Sequence, residues 1–169
     1  MRTVIHPQKQ LGEVDIANIH LDPKSRDDIP HLLRGLQYIY VTPPLREAVF
    51  EILEDVVPDR IGGVGEEKAS KELGRPGMEQ WKILVLGVVR LGLNADYDRL
   101  QELANQHRTL RQMLGHSDWS DTSTYNLQTL KDNLRLFTPE ILDRINQVVV
   151  GGGHQLLKKK SGRRVKRPL

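Results

Sequence analysis

The sequence predicts a mainly α protein: an N-terminal arm and helical hairpin, a linker, then a helical body with a helix-turn-helix-like element. Two observations carry that prediction. Apolar residues recur at spacings of three and four in segment after segment, the mark of helices with one buried face. Between those segments stand capping residues, prolines and glycines, where helices begin and end. The divisions fall at 1–57 for arm and hairpin, 58–77 for the linker, 78–157 for the helical body and 158–169 for a basic disordered tail.

The arm, residues 1–24, is short of helix signals; Val14, Ile16 and Ile19 suggest one short strand before Asp22-Pro23. Ser25 suits a helix N-cap, with Asp27 and Asp28 in the first turn. Ile29, Leu32, Leu33, Leu36 and Ile39 then line one face. Thr42-Pro43-Pro44 ends that helix and starts the next, with Pro43 at the first helical position. Leu45, Val49, Ile52, Leu53 and Val56 form the second stripe. The linker holds Pro58, Gly62, Gly63, Gly65, Gly74, Pro76 and Gly77, too many breakers for a long regular element.

Beyond it, Met78 to Leu91 is apolar almost all round, as a central helix is. Gly92 to Asn94 punctuates it. Asp96 to Gln106 reads as a helix, and Thr109 opens a short one in which Gln112 could complete a capping box. A polar turn at 116–121 surrounds one large apolar anchor, Trp119. The next helix, 122–136, puts Leu127, Leu130 and Leu134 on one face, with Asn126, Gln128, Thr129, Lys131, Asn133 and Arg135 opposite. Thr138-Pro139-Glu140 starts a last helix striped by Leu142, Ile145, Val148 and Val149, which Gly151-Gly152-Gly153 interrupts.

Composition excludes several classes of function. The 169 residues contain no cysteine, so disulfides, thiolate zinc sites and cysteine nucleophiles are out. Aromatics are 5%, too few for a base-stacking sheet. The most apolar run, 83–89, is far short of a membrane span, and no secretory leader is visible. A cytoplasmic protein without membrane partners is expected. Of the 25 basic residues, seven lie in 158–169, leaving 18 against 22 acidic residues in the rest of the chain. The net charge of +3 therefore belongs to the tail, a phosphate-binding composition.

Candidate chemistry is sparse. Histidines 6, 20, 31, 107, 116 and 154 lack zinc-site spacing. The glycine clusters at 62–65 and 151–153 lack the lysine of a phosphate loop. The carboxylates fall at helix starts, in the linker or on a helix face, where capping and solvation explain them. The segment 96–136 says more. Its order of helix, short helix, polar turn and helix, with amide and basic side chains facing outward, suits a helix-turn-helix reader, although any surface helix shows a polar face.

Several runs resemble the N-terminal domain of bacterial insertion-sequence transposases, especially the ISNCY type. They are Asp-Pro-Lys-Ser-Arg-Asp-Asp-Ile-Pro at 22–30, Leu-Arg-Gly-Leu-Gln-Tyr-Ile-Tyr at 33–40 and Gly-Arg-Pro-Gly-Met-Glu-Gln-Trp-Lys-Ile-Leu-Val-Leu-Gly at 74–87. Asp-Tyr-Asp-Arg-Leu at 96–100, Asn-Gln-His-Arg-Thr-Leu-Arg at 105–111, Met-Leu-Gly-His at 113–116 and Leu-Gln-Thr-Leu-Lys-Asp-Asn at 127–133 continue the resemblance, which covers about residues 1–160. It implies a helical region that binds the element's terminal repeats and precedes a separate RNase H-like domain, whose Asp-Asp-Glu carboxylates hold two divalent metals. The ending at 161–169 and the glycine triplet depart from the family's pattern, which implies a truncated copy, by itself not an enzyme and without a cofactor.

The resulting expectation is DNA binding at the bacterial nucleoid. Phosphate contacts are assigned to Arg108, Arg111, Lys131 and the tail residues Lys158, Lys159, Lys160, Arg163 and Arg164. Base reading is assigned to Asn126, Gln128 or Asn133. Two alternatives stay open. One is a protein-interaction module that forms a homo-oligomer through the hairpin at 29–56, testable at Leu36 and Leu53. The other is an intact enzyme with unrecognised carboxylates.

Overall fold

The computed structural model describes residues 3–56, 77–119 and 121–162, with side chains as far as His154 in the last helix. Seven α-helices and one 3-10 turn make up the regular structure among the described residues, and the fold is mainly α. The arm holds the 3-10 turn Ile16–Asn18, capped by the Asp15 carboxylate. No strand forms among its described residues, because Ile16 and Ile19 both turn into the core instead of alternating.

Helices α1 (Asp28–Val41) and α2 (Pro43–Glu54) form the hairpin. The α1 cap is Asp27, which accepts from the Ile29 N–H, while Ser25 accepts one step earlier, from the Asp27 N–H. Thr42 stands at the α2 N-cap with Pro43 next, but its side chain makes no capping bond. The segment assigned as a linker lies, but for its last residue, outside the described residues.

Helix α3 (Gln80–Gly92) is central, and Ile83, Leu84, Val85, Leu86 and Val89 are sealed from solvent. Its first N–H groups do not face water: Gln80 and Trp81 donate to the arm carbonyls of Thr3 and Val4, at 3.0 and 2.8 Å. Asn94 ends it in the left-handed region (φ 48°), and the Ala95 N–H closes back on Arg90 O. Helices α4 (Tyr97–Gln106) and α5 (Arg108–Met113) meet at His107. His107, through Nδ1, caps α5 in place of the Thr109–Gln112 box; Gln112 bonds Asp118 instead. Helix α6 (Leu127–Leu134) follows the connection at 114–126, which is longer than the 3–4-residue turn of a helix-turn-helix motif. Trp119 in that connection is no anchor: it is 75% exposed.

Helix α7 (Pro139–Gly162) runs straight through the glycine triplet, contrary to the expected interruption. Packing supplies the reason. α7 lies along α2, and a Cβ on Gly152 would strike the Leu45 side chain, so the triplet permits close approach at a cost of about 1 kcal/mol per glycine in helix propensity. The start of the tail, Lys158 to Gly162, continues this helix.

Hairpin and body share one core. Leu33, Leu36 and Leu53 join Trp81, Leu100, Leu110, Met113 and Leu130 in it. Leu36 and Leu53 are 2% and 0% exposed, so this apolar face of the hairpin is packed inside the molecule. Tyr40, Phe50 and Trp81 stack at tilted angles with centroids 5.6–6.5 Å apart, joining α1, α2 and α3. Among the described residues, no helix is long and apolar enough to cross a membrane.

Candidate functional site

The segment α4–α6 is where the sequence places a nucleic-acid face, and its side chains divide into two sets. Asn126 accepts the Gln128 N–H at 2.8 Å and caps α6. Gln128 and Lys131 are exposed. Gln128 donates to Asp132 one turn on, at 2.8 Å, and the Lys131 ammonium sits 5.9 Å from the Tyr97 ring centroid. Arg108 is open to solvent, its side chain 79% exposed, with Asp118 at 3.3 Å. These four side chains are exposed, within reach of a ligand at little cost in desolvation.

The second set points inward. Arg111 donates to three backbone carbonyls: Ala104 at 3.1 Å, Ser123 at 2.9 Å and Asp121 at 3.4 Å. Its five donors suit such multiple bonding, and with them it binds the 121–123 stretch to α4 rather than to a phosphate. Asn133 is also buried, and its amide donates to Thr129 O at 2.7 Å. Its expected place on the outward face is corrected: one residue before Leu134, it falls within the width of the buried stripe. Lys158, Lys159 and Lys160 occupy the last turns of α7, with side chains beyond those described. Arg163 and Arg164 lie outside the described residues.

Sequence reasoning missed the polar cluster inside the 114–126 connection. His116 is 8% exposed and stands between two partners. Its Nδ1 lies 2.8 Å from Asp121 Oδ2, and its Nε2 lies 2.7 Å from the Tyr125 hydroxyl. Burial pushes the His116 pKa down, with Arg111 adding to the effect against the pull of Asp121. Burial also works against the Asp121 carboxylate, yet N–H donation from Ser123 and the His116 contact outweigh it and hold its pKa well below the usual carboxylate range. One proton arrangement satisfies all three groups: Nδ1–H donates to Asp121, and the Tyr125 O–H donates to Nε2. An acid, an imidazole and a hydroxyl in series have the order of an orienter, a base and a nucleophile. The Tyr125 pKa, however, is pushed far up by burial, so the hydroxyl keeps its proton and serves as a donor.

The cluster is thus a strut. Asn105 adds to it, accepting the Tyr125 N–H at 2.6 Å and donating to Tyr125 O at 3.2 Å; Gln101 donates to the same carbonyl at 3.1 Å. Together these bonds tie the approach to α6 onto α4 and fix which face of α6 looks outward. Spacings of five and four between His116, Asp121 and Tyr125 match no regular element, so no periodic signal could have found them. No family model, curated protein or solved structure matches the chain.

Proposed function

We propose that the chain is the DNA-binding, non-catalytic part of an insertion-sequence transposase, acting on the element's terminal repeats at the bacterial nucleoid. The observation that carries this reading is the outward face of α6: Gln128 and Lys131 stand exposed opposite the buried Leu130 and Leu134. An amide can pair with an adenine edge, and an ammonium with guanine or phosphate. The family resemblance of the sequence points the same way. Arg108 is exposed as well, whereas Arg111 and Asn133 are committed to the interior.

The test is a binding assay on two short duplexes, one enriched by selection from a random pool and one of random sequence. Gln128→Ala should reduce discrimination between them by roughly 1–3 kcal/mol, as loss of a bidentate base contact does. Lys131→Ala should weaken both alike and flatten the dependence of log K on log salt by about 0.9. Equal affinity of the unmutated protein for both duplexes would overturn base reading. Incubation with the enriched duplex and magnesium or manganese should give no specific nicking, and nicking would overturn the non-catalytic part of the proposal.

A further inference from the structure

Arg90 stands in the last turn of α3, half-buried, where the left-handed Asn94 and the bond from Ala95 N–H to Arg90 O fold the chain back into α4. That reversal lays the Arg90 guanidinium over the Tyr97 ring, with Cζ 4.3 Å from its centroid. Helix α6 packs against both α3 and α4 and brings a second cation to the same ring, Lys131 Nζ at 5.9 Å. Three helices thus converge two positive charges on one tyrosine. An aromatic ring attracts a cation out to about 6 Å, so Tyr97 is a platform that holds both.

Neither cation has an ion-pair partner among the described residues. Arg90 Nε is shut from solvent with no hydrogen-bond partner, so stacking on the ring, and not a bond, positions the guanidinium. The nearby acids are engaged elsewhere. Asp96 accepts the Arg99 N–H as the cap of α4, and Asp132 accepts from Gln128 and Arg135. Asp98, exposed on the first turn of α4, forms an ion pair with neither cation. Two like charges gathered at one ring repel each other, and an anion between them relieves that repulsion. A phosphate suits the pair: the planar guanidinium can bond two of its oxygens, and the ammonium adds a point charge. Lys131 is also one turn from the exposed Gln128, so the pair lies next to the amide assigned to base reading.

We propose that Arg90 and Lys131 together hold one phosphate of a nucleic-acid backbone, with Tyr97 positioning them. The proposal rests on the DNA reading and extends it from α6 to the turn between α3 and α4. It adds Arg90 to the residues that meet the backbone.

Anisotropy of a labelled random-sequence duplex, titrated with the full chain across a salt series, tests this. Arg90→Gln should weaken binding and flatten the slope of log K against log salt by about 0.9, the share of one phosphate. The double variant Arg90→Gln, Lys131→Ala should flatten it no further than Lys131→Ala alone, since one phosphate is lost either way. Because Arg90 is half-buried, Arg90→Lys serves as a companion that keeps the charge: it should keep the slope and lose only part of the affinity. Arg99→Gln, which removes a cation already paired with Glu102, should leave the slope unchanged. If the unmutated protein binds and Arg90→Gln leaves its slope unchanged, this site is overturned and the DNA reading stands. If the unmutated protein binds no duplex, both are overturned. Equal flattening by Arg99→Gln, or a double variant that loses about twice as much as either single one, would overturn the shared phosphate. Inorganic phosphate that displaces the duplex better than sodium chloride of equal ionic strength, and only when Arg90 is present, would make free phosphate the ligand and overturn the backbone assignment.

Discussion

His116 shows how far one residue's protonation can matter to a connection that has no regular structure. Its folded pKa is lowered, so below the ordinary histidine value of about 6.5 the unfolded chain takes up a proton that the folded chain resists. Stability contributed by neutral His116 is present in full above that value and is lost as the pH falls toward the lowered one. Urea unfolding at pH 7.5 and at steps below 6.5 should show a falling free energy. His116→Gln should flatten that fall, and an identical slope in the variant would exclude His116 as its source. Arg111 illustrates the limit of reading single residues. Nothing in the local spacing tells it from Arg108, yet one is a mostly buried brace and the other an exposed cation paired with Asp118. The difference arises only when the 121–123 carbonyls arrive over α4, a tertiary event with no imprint on the neighbouring sequence. Asn133 was misjudged for a related reason, since a helix stripe is wider than the leucines that announce it.

Elements were more legible than residues. The hairpin, α3 and α4 begin and end, and α7 begins, close to where their capping residues and prolines stand, because those signals act within one turn. The glycine triplet misled because glycine's helix penalty is local, whereas its benefit, the contact with Leu45, lies on another helix. That contrast gives an ordering. A Cβ on Gly151 or Gly153 meets nothing within 4 Å, so alanine at either position should stabilise the protein by up to about 1 kcal/mol. Gly152→Ala should gain less than both, since the Leu45 side chain must move. Thermal unfolding followed by circular dichroism ranks the three, and a Gly152→Ala gain equal to its neighbours' would show that α2 and α7 do not pack this closely.

For the molecule as a whole, a boundary at 58–77 in the sequence does not keep the two sides apart in space. Side-chain contacts cross between them as the core does, with His107 Nε2 hydrogen-bonded to Asp27 at 3.1 Å and Arg144 ion-paired with Asp55 at 3.0 Å. Hairpin and body should therefore unfold together. Helicity and Trp81 emission followed through a urea titration should trace one coincident transition. Two separated transitions would show that the shared core adds little to either half. Periodicity could name the buried face of each helix, but not which other face it meets, so one core rather than two was beyond the sequence. The outward face of α6 was partly legible: Gln128 and Lys131 are where the pattern puts them, and Asn133 is not.

The arm's hold on α3 also bears on the order of folding. The first amides of the most apolar helix find acceptors on Thr3 and Val4, across the whole hairpin and the segment 57–76. Helices form in about a microsecond, but a loop of that size closes at an entropic cost that only later contacts offset. During synthesis, residues 3 and 4 must wait for residues 80 and 81, and until they meet, the helix at the centre of the protein has a frayed beginning. The arm is thus a latch that closes last. Pulsed hydrogen exchange during refolding should protect the Gln80 and Trp81 amides after those of Leu86 and Val89, and simultaneous protection would mean that the latch closes with the helix itself.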